Sequence, residues 1–282
     1  GQKLESLSEI TAVQREKQAL IIHDWQNKWA LEGSCGPRNA GLGYWDELKR
    51  HYNALAREGI AVEFGDETAD LTGYRLVVVP MLYLLTDDFA KKLCDFAQNG
   101  GTVVVTYWTG VVDESDLCRL GDTPYGLTEL LGLRRTEIDG MYDGETRRCT
   151  PIDGCALPEA QASILCEVAV SNDTDPAEPL SVYAEDYFAQ HPAAAVHKYG
   201  AGRAYYLASR FDEDFYRAFY RDAAKELGLM PAWQQPLPAG VLAVKRGSYV
   251  FVQNCTEQPV TVGESELPRY GTAVWNGVQR VL

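Results

Sequence analysis

The ten residues "DWQNKWALEG", 24 to 33, set two tryptophans, two carboxylates, an amide pair and a lysine directly behind the apolar run "ALII". Trp25 and Trp29 offer apolar faces that fill a core or form a sugar- or protein-binding edge, and Trp108 at a later strand end adds a third. Asn27 and Glu32 would supply the hydrogen bonds of such an edge. The acids Asp24 with Glu32, and Asp113 with Glu114, have the residue types of a glycosidase acid and nucleophile, which must stand about 5 Å apart. Solvated loop acids are commoner than dyads in so acidic a chain, so the loop reads as structural and as a rim rather than a catalytic centre.

Other chemistries find less. The strands lack the G-x-G-x-x-G and G-x-x-x-x-G-K-[ST] loops that cradle phosphates, and "YGAGR" joins strands rather than opening a helix. A strand-to-helix nucleophile elbow would fall at "TYWTG", 106 to 110, where no cysteine stands. His23, His51, His191 and His197 have no sequence partner that would orient a base, so each reads as structural. The seven cysteines (35, 94, 118, 149, 155, 166, 255) contain no C-x-x-C pair, which suggests reduced thiols without zinc or disulfides. Neither a cofactor nor a metal is expected.

The elements that would position these groups follow from periodicity. Short apolar runs, "ALII", "IAVEF", "RLVVVP" and "GTVVVTY", alternate with "LGYWDELKRHYNALAREG" and "TDDFAKKLCDFAQNGG", which have helical period and end in glycine. Thr86 with two following aspartates is a good helix start. This alternation predicts an α/β fold with a doubly wound, mostly parallel sheet, flavodoxin-like or class I glutamine amidotransferase-like. Ligands of such a sheet bind at the carboxyl ends of the strands, where the loops holding Trp25 and Trp108 would sit.

The texture changes beyond residue 133. "ASILCEVAV", "LSVYAED" and "AAAVHKYGAGRAYYLAS" read as antiparallel strands, and 212 to 228 as a last helix packing through Phe215, Phe219 and Leu227. Three prolines in "LMPAWQQPLPA" mark 229–239 as a linker, and 240–282 reads as a small antiparallel β domain with a closing hairpin at Asn276-Gly277. Residues 18–228 would form the main domain. Leu4, Leu7, Ile10 and Val13 put one apolar stripe on a polar helix over 2–17.

The net charge of −14, from 40 acids and 26 bases, opposes binding to nucleic acid or an anionic membrane surface. "YRLVVVPMLYLL" is too short, and too interrupted by proline, for the roughly 20 residues of a membrane span. The beginning "GQKLESLSEI" has no secretory pattern, so a cytoplasmic setting is expected. Gly1 in place of a methionine reads as the trace of a cleavage, and the chain as a piece of a longer protein.

"IIHDWQNKWALEG", "ADLTGYRLVVVPMLYLLTDDFAKKLCDFAQNGGTVVVTYWTGVVDESD" and "YGAGRAYYLAS" resemble, in that order, the trimerisation domain of glycoside hydrolase family 42 β-galactosidases. The resemblance runs from about 17 to 228, and the module after the linker is similar to that family's C-terminal domain. It implies a homotrimer, a galactoside substrate, and strand-end loops that help wall the active-site funnel. Residues 1–17 would be the exit helix of a (β/α)8 barrel. Both catalytic glutamates of the family lie in that barrel, so no residue of this chain inherits a catalytic role. A carbohydrate-binding module and a stand-alone amidotransferase-like enzyme are the alternative readings.

Overall fold

A computed structural model describes residues 10, 13, 16–34, 36, 41–235, 237–277 and 279–281. The expected helix over 2–17 therefore lies largely outside the described residues. Within it, Ile10 is buried against Val274, Tyr249 and Phe251 of the C-terminal module.

The first half of the chain builds four parallel strands. β1 (Ala19–Ile22) is followed by α1 (Trp25–Gly33), α2 (Tyr44–Arg57) and the edge strand β2 (Val62–Gly65). β3 (Leu76–Val79), α3 (Asp87–Gln98) and β4 (Thr102–Thr106) come next. β1, β3 and β4 are buried along their whole length, as strands covered on both faces must be, whereas β2 is half-exposed. Helix starts are fixed by side-chain caps. Asp24 Oδ1 accepts from Asn27 N at 2.8 Å, and Thr86 Oγ1 from Phe89 N at 3.3 Å.

The rest of the sheet runs differently. After the single turn α4 (Thr128–Leu131) come β5 (Leu133–Gly140), β6 (Arg147–Pro151), β7 (Ala160–Ser171), β8 (Glu178–Tyr183), β9 (Pro192–Tyr199), β10 (Gly202–Leu207) and β11 (Ser209–Arg210). Together with the first four strands they form one eleven-stranded sheet in the order β11-β7-β6-β8-β9-β10-β4-β3-β1-β2, with β5 on β7. β2, β1, β3, β4 and β10 are parallel neighbours, and every pairing beyond β10 is antiparallel.

This corrects the expected doubly wound, mostly parallel, flavodoxin-like or amidotransferase-like fold: the sheet is mixed, most of its strands are antiparallel, and helices are few. The physical reason lies in β10, which pairs parallel with β4 on one side, as in Tyr206↔Val105, and antiparallel with β9 on the other, as in Tyr206↔Ala195. Hairpin-linked strands need no crossover helix, so the sheet grows through this joint without the helices that a parallel sheet requires. Glycine permits the joint, since a Cβ at Gly202 would collide with the carbonyl oxygens of Gly101 and Ala97.

α5 (Glu213–Glu226), capped by Asp212, packs beside α2 and buries Phe215 and Phe219 in the core. Each such ring contributes about 2 kcal/mol of apolar burial. The C-terminal module holds the four-stranded sheet of β12 (Val241–Arg246), β13 (Tyr249–Asn254), β16 (Thr272–Asn276) and β17 (Gln279–Arg280), plus the hairpin of β14 (Val260–Val262) and β15 (Ser265–Leu267). Its core of Val241, Ala243, Val252, Ala273 and Trp275 is completed by Trp233 and Leu237 from the proline-rich stretch. Among the described residues no helix is long and apolar enough to cross a membrane.

Candidate functional site

The carboxyl ends of β1, β3 and β4 carry the residues singled out in the sequence, and the fold sorts them into an exposed rim and a buried support. Trp25 and Trp29 are four apart on α1, so they share one face, and that face is solvent. They are 53% and 62% exposed. Trp45, the second residue of α2, joins them at 41% exposure. His23 joins two of them: its ring stacks on Trp45 at 4.7 Å and on Tyr44 at 5.9 Å, and meets the edge of Trp25 at 5.1 Å, while Trp29 lies 6.4 Å from Trp25. Burial pushes the His23 pKa down against the opposing pull of Asp24 and Asp66, which favours a neutral ring. Glu32 reaches back to Lys28 at 2.5 Å, and the Lys28 ammonium lies 5.9 Å from the Trp25 ring.

Asn27 is turned away from this rim and is fully buried. Its Nδ2 donates to Met81 O and its Oδ1 accepts from Leu84 N, both at 3.0 Å, which fixes α1 to the segment following β3. Trp108 is also buried, at 6% exposure, and stacks on Tyr83 at 5.7 Å. It has a φ of +60°, the left-handed bend that an elbow after β4 demands. A nucleophile elbow would present a serine or cysteine here, and an indole offers no nucleophilic atom.

Two buried carboxylates clamp this bend. Glu47, fully buried on α2, accepts from Tyr216 Oη at 2.5 Å, Arg210 Nε at 2.8 Å, Tyr107 Oη at 3.0 Å and His51 Nε2 at 3.2 Å. Burial alone would raise its pKa, but the hydrogen bonds from His51 and Tyr216 and the Arg210 charge bring it down to about 2. Arg210 also donates to the carbonyls of Leu42 and Gly43. On the other side Glu167, fully buried on β7, accepts from Trp108 N at 2.9 Å, from Arg135 Nη1 at 2.6 Å and from the Tyr206 hydroxyl. Tyr107 is thus held by one ion pair and Trp108 by another.

The remaining candidates have local partners. Asp24 caps α1. Asp113 accepts from Ser115 N at 2.8 Å and Leu117 N at 3.1 Å, which holds its carboxyl below the usual range. Glu114 lies 3.8 Å from Arg119. His191 and His197 face the carbonyls of Ala169 and Leu130 at 3.1 and 3.0 Å. Cys94, Cys118, Cys149, Cys155, Cys166 and Cys255 are free, and the described residues hold no metal-binding group of three or more His, Cys, Asp or Glu.

Sequence reasoning passed over Trp45, Glu47, Glu167 and Arg210. For Glu47 a signal existed: Tyr44, Leu48, His51 and Leu55 share the buried face of α2, and a glutamate four residues before a histidine on such a face must be paired.

Comparison with known proteins agrees with this architecture. The family model described as the beta-galactosidase trimerisation domain matches residues 17–230. A beta-galactosidase of Alicyclobacillus acidocaldarius is 40% identical over 291 residues, covering 100% of this chain and 42% of that protein. The crystal structure of a beta-galactosidase from a Rahnella species superposes with a TM-score of 0.87 at 37% identity, over 96% of this chain and 42% of the other. That of a Bacillus circulans beta-galactosidase gives 0.89 at 30% identity, over 97% and 43%. The chain spans about two fifths of the length of these relatives. By these matches the chain belongs to the trimerisation-domain family of the glycoside hydrolase family 42 β-galactosidases.

Proposed function

We propose that this chain is the assembly region of a β-galactosidase: it brings three copies together, contributes no catalytic carboxylate, and lends its strand-end rim to the path by which a terminal β-galactoside reaches the active site. The observation that carries the reading is the family match over 17–230, which spans the rim and the clamped elbow alike. The division into an α/β unit over 18–228, a linker over 229–239 and a β unit over 240–282 belongs to the same reading. So does a cytoplasmic setting, which the free thiols favour.

On the rim Trp25, Trp29 and Trp45 would form the sugar-facing surface with Glu32, while Asn27 and Trp108 act from behind by fixing the loops. The half-exposed indoles also favour a second reading, a sugar-binding module that works without the rest of an enzyme. A titration with lactose, read by tryptophan fluorescence, separates the two: saturable binding by the isolated chain supports the second.

The test of the leading reading is hydrolysis of a chromogenic β-galactoside by the chain alone. No turnover is expected. Turnover that survives purification and disappears on Glu32→Gln or Glu114→Gln would overturn it.

A further inference from the structure

Away from the rim, α2, α5 and the proline-rich stretch enclose a crevice of about 410 Å³. Its walls carry Arg57, Arg217 and Arg221 together with the acid Glu58. The spacing explains the grouping. Arg50 and Arg57 are seven apart on α2, and Arg217 and Arg221 four apart on α5, so each pair shares one helix face. The two helices pack together, and Arg50, Arg57 and Arg217 line a smaller hollow between them.

These guanidiniums are loosely engaged. The nearest carboxylate oxygens are those of Glu213 at 3.6 Å from Arg57, Asp214 at 4.0 Å from Arg217 and Asp222 at 3.8 Å from Arg221, all beyond hydrogen-bond distance. Arg50 Nε is buried and has no hydrogen-bond partner. The opposite wall is of another kind: Trp233, whose ring also packs against Trp275 at 4.9 Å, with the exposed Gln234 and Gln235.

Forked guanidiniums match the oxygens of a phosphate or carboxylate, an indole face suits the C–H face of a sugar ring, and amides suit its hydroxyls. The volume is in the range of small-ligand sites, which favour junctions between structural units. We propose that this crevice binds an anionic saccharide, a sugar carrying a phosphate ester or carboxylate, with Arg57, Arg217 and Arg221 on the anion and the glutamine wall on the ring. Glu213, Asp214 and Asp222 flank the arginines and temper the affinity. The site is separate from the rim, so it stands or falls independently of the assembly role.

Isothermal titration of the whole chain with galactose 6-phosphate, orthophosphate and galactose, at low and at moderate salt, tests this. The ester should bind more tightly than orthophosphate, galactose should give no signal that depends on the arginines, and added salt should weaken the ester. Arg57→Gln and Arg217→Gln should each weaken it about tenfold, the loss of one charge-assisted hydrogen bond. Gln234→Ala, at an exposed position, should weaken the ester but leave orthophosphate unchanged. Absence of binding by both anions, equal binding by the arginine variants, or equal affinity for ester and orthophosphate would each overturn the proposal. Unchanged far-UV circular dichroism of the variants ensures that a loss reports on the crevice.

Discussion

Replacing Glu47 by alanine removes a carboxylate that accepts four hydrogen bonds and leaves the Arg210 guanidinium, whose side chain is 7% exposed, without a counter-charge. Breaking a buried pair from one side costs about 3–5 kcal/mol, because the charge left behind is desolvated and uncompensated. Domains of ordinary size are stable by about 5–15 kcal/mol, so Glu47→Ala should remove a large fraction of the total. Arg210→Leu should be comparably harmful, since it strands the glutamate instead. The double variant strands neither, and its cost should fall short of the sum of the two by about 2–3 kcal/mol. Equilibrium urea denaturation at neutral pH, followed by tryptophan fluorescence and far-UV circular dichroism, measures all three. A Glu47→Ala cost under about 1 kcal/mol, or additivity in the cycle, would refute the view that these charges hold each other in the core.

Three further outcomes follow from the same contacts. The folded Glu47 pKa of about 2 lies below the ordinary 4.5, so its contribution is complete above pH 4.5 and fades as pH falls toward 2; it amounts to about 3 kcal/mol, and acid titrations of Glu47→Ala should be correspondingly flatter. Asn27→Ala should destabilise by about 2–4 kcal/mol because it orphans Met81 O and Leu84 N, whereas Trp29→Ala on the solvent face should stay within about 1 kcal/mol. In a thiol-reactive dye assay without reductant, the exposed Cys118 and Cys255 should react in the folded protein, and Cys149 and Cys166, whose thiols burial pushes far up, only after unfolding. Unfolded protein should titrate as seven thiols, and five or fewer would show a bridge.

The strands Ala19–Ile22, Leu76–Val79 and Thr102–Thr106 were legible because each is a continuous apolar run between helical segments, and the start of α3 because Thr86 precedes two aspartates. What was not legible is how the halves join. Gly202–Leu207 reads the same whether its second neighbour is parallel or antiparallel, and only β4 on its other side makes the sheet mixed. Arg210 and Glu47 are 163 residues apart, and nothing in either local sequence names the other. Trp108 shows the same limit: an aromatic beside a strand end reads as a rim residue until the left-handed bend turns it inward against Tyr83. Trp25 and Trp29, expected on a loop, lie instead on the helix Trp25–Gly33, where their four-residue spacing puts both on one face.

The molar mass of the isolated chain, measured by light scattering across a salt series, tests the proposed self-association. Each copy carries a charge of −14, a repulsion that is strongest at low ionic strength and is screened beyond about 10 Å in 0.1 M salt. A monomer–trimer equilibrium is expected, moving toward the mass of three chains as salt rises. A stable dimer or tetramer whose mass does not change with salt would contradict it.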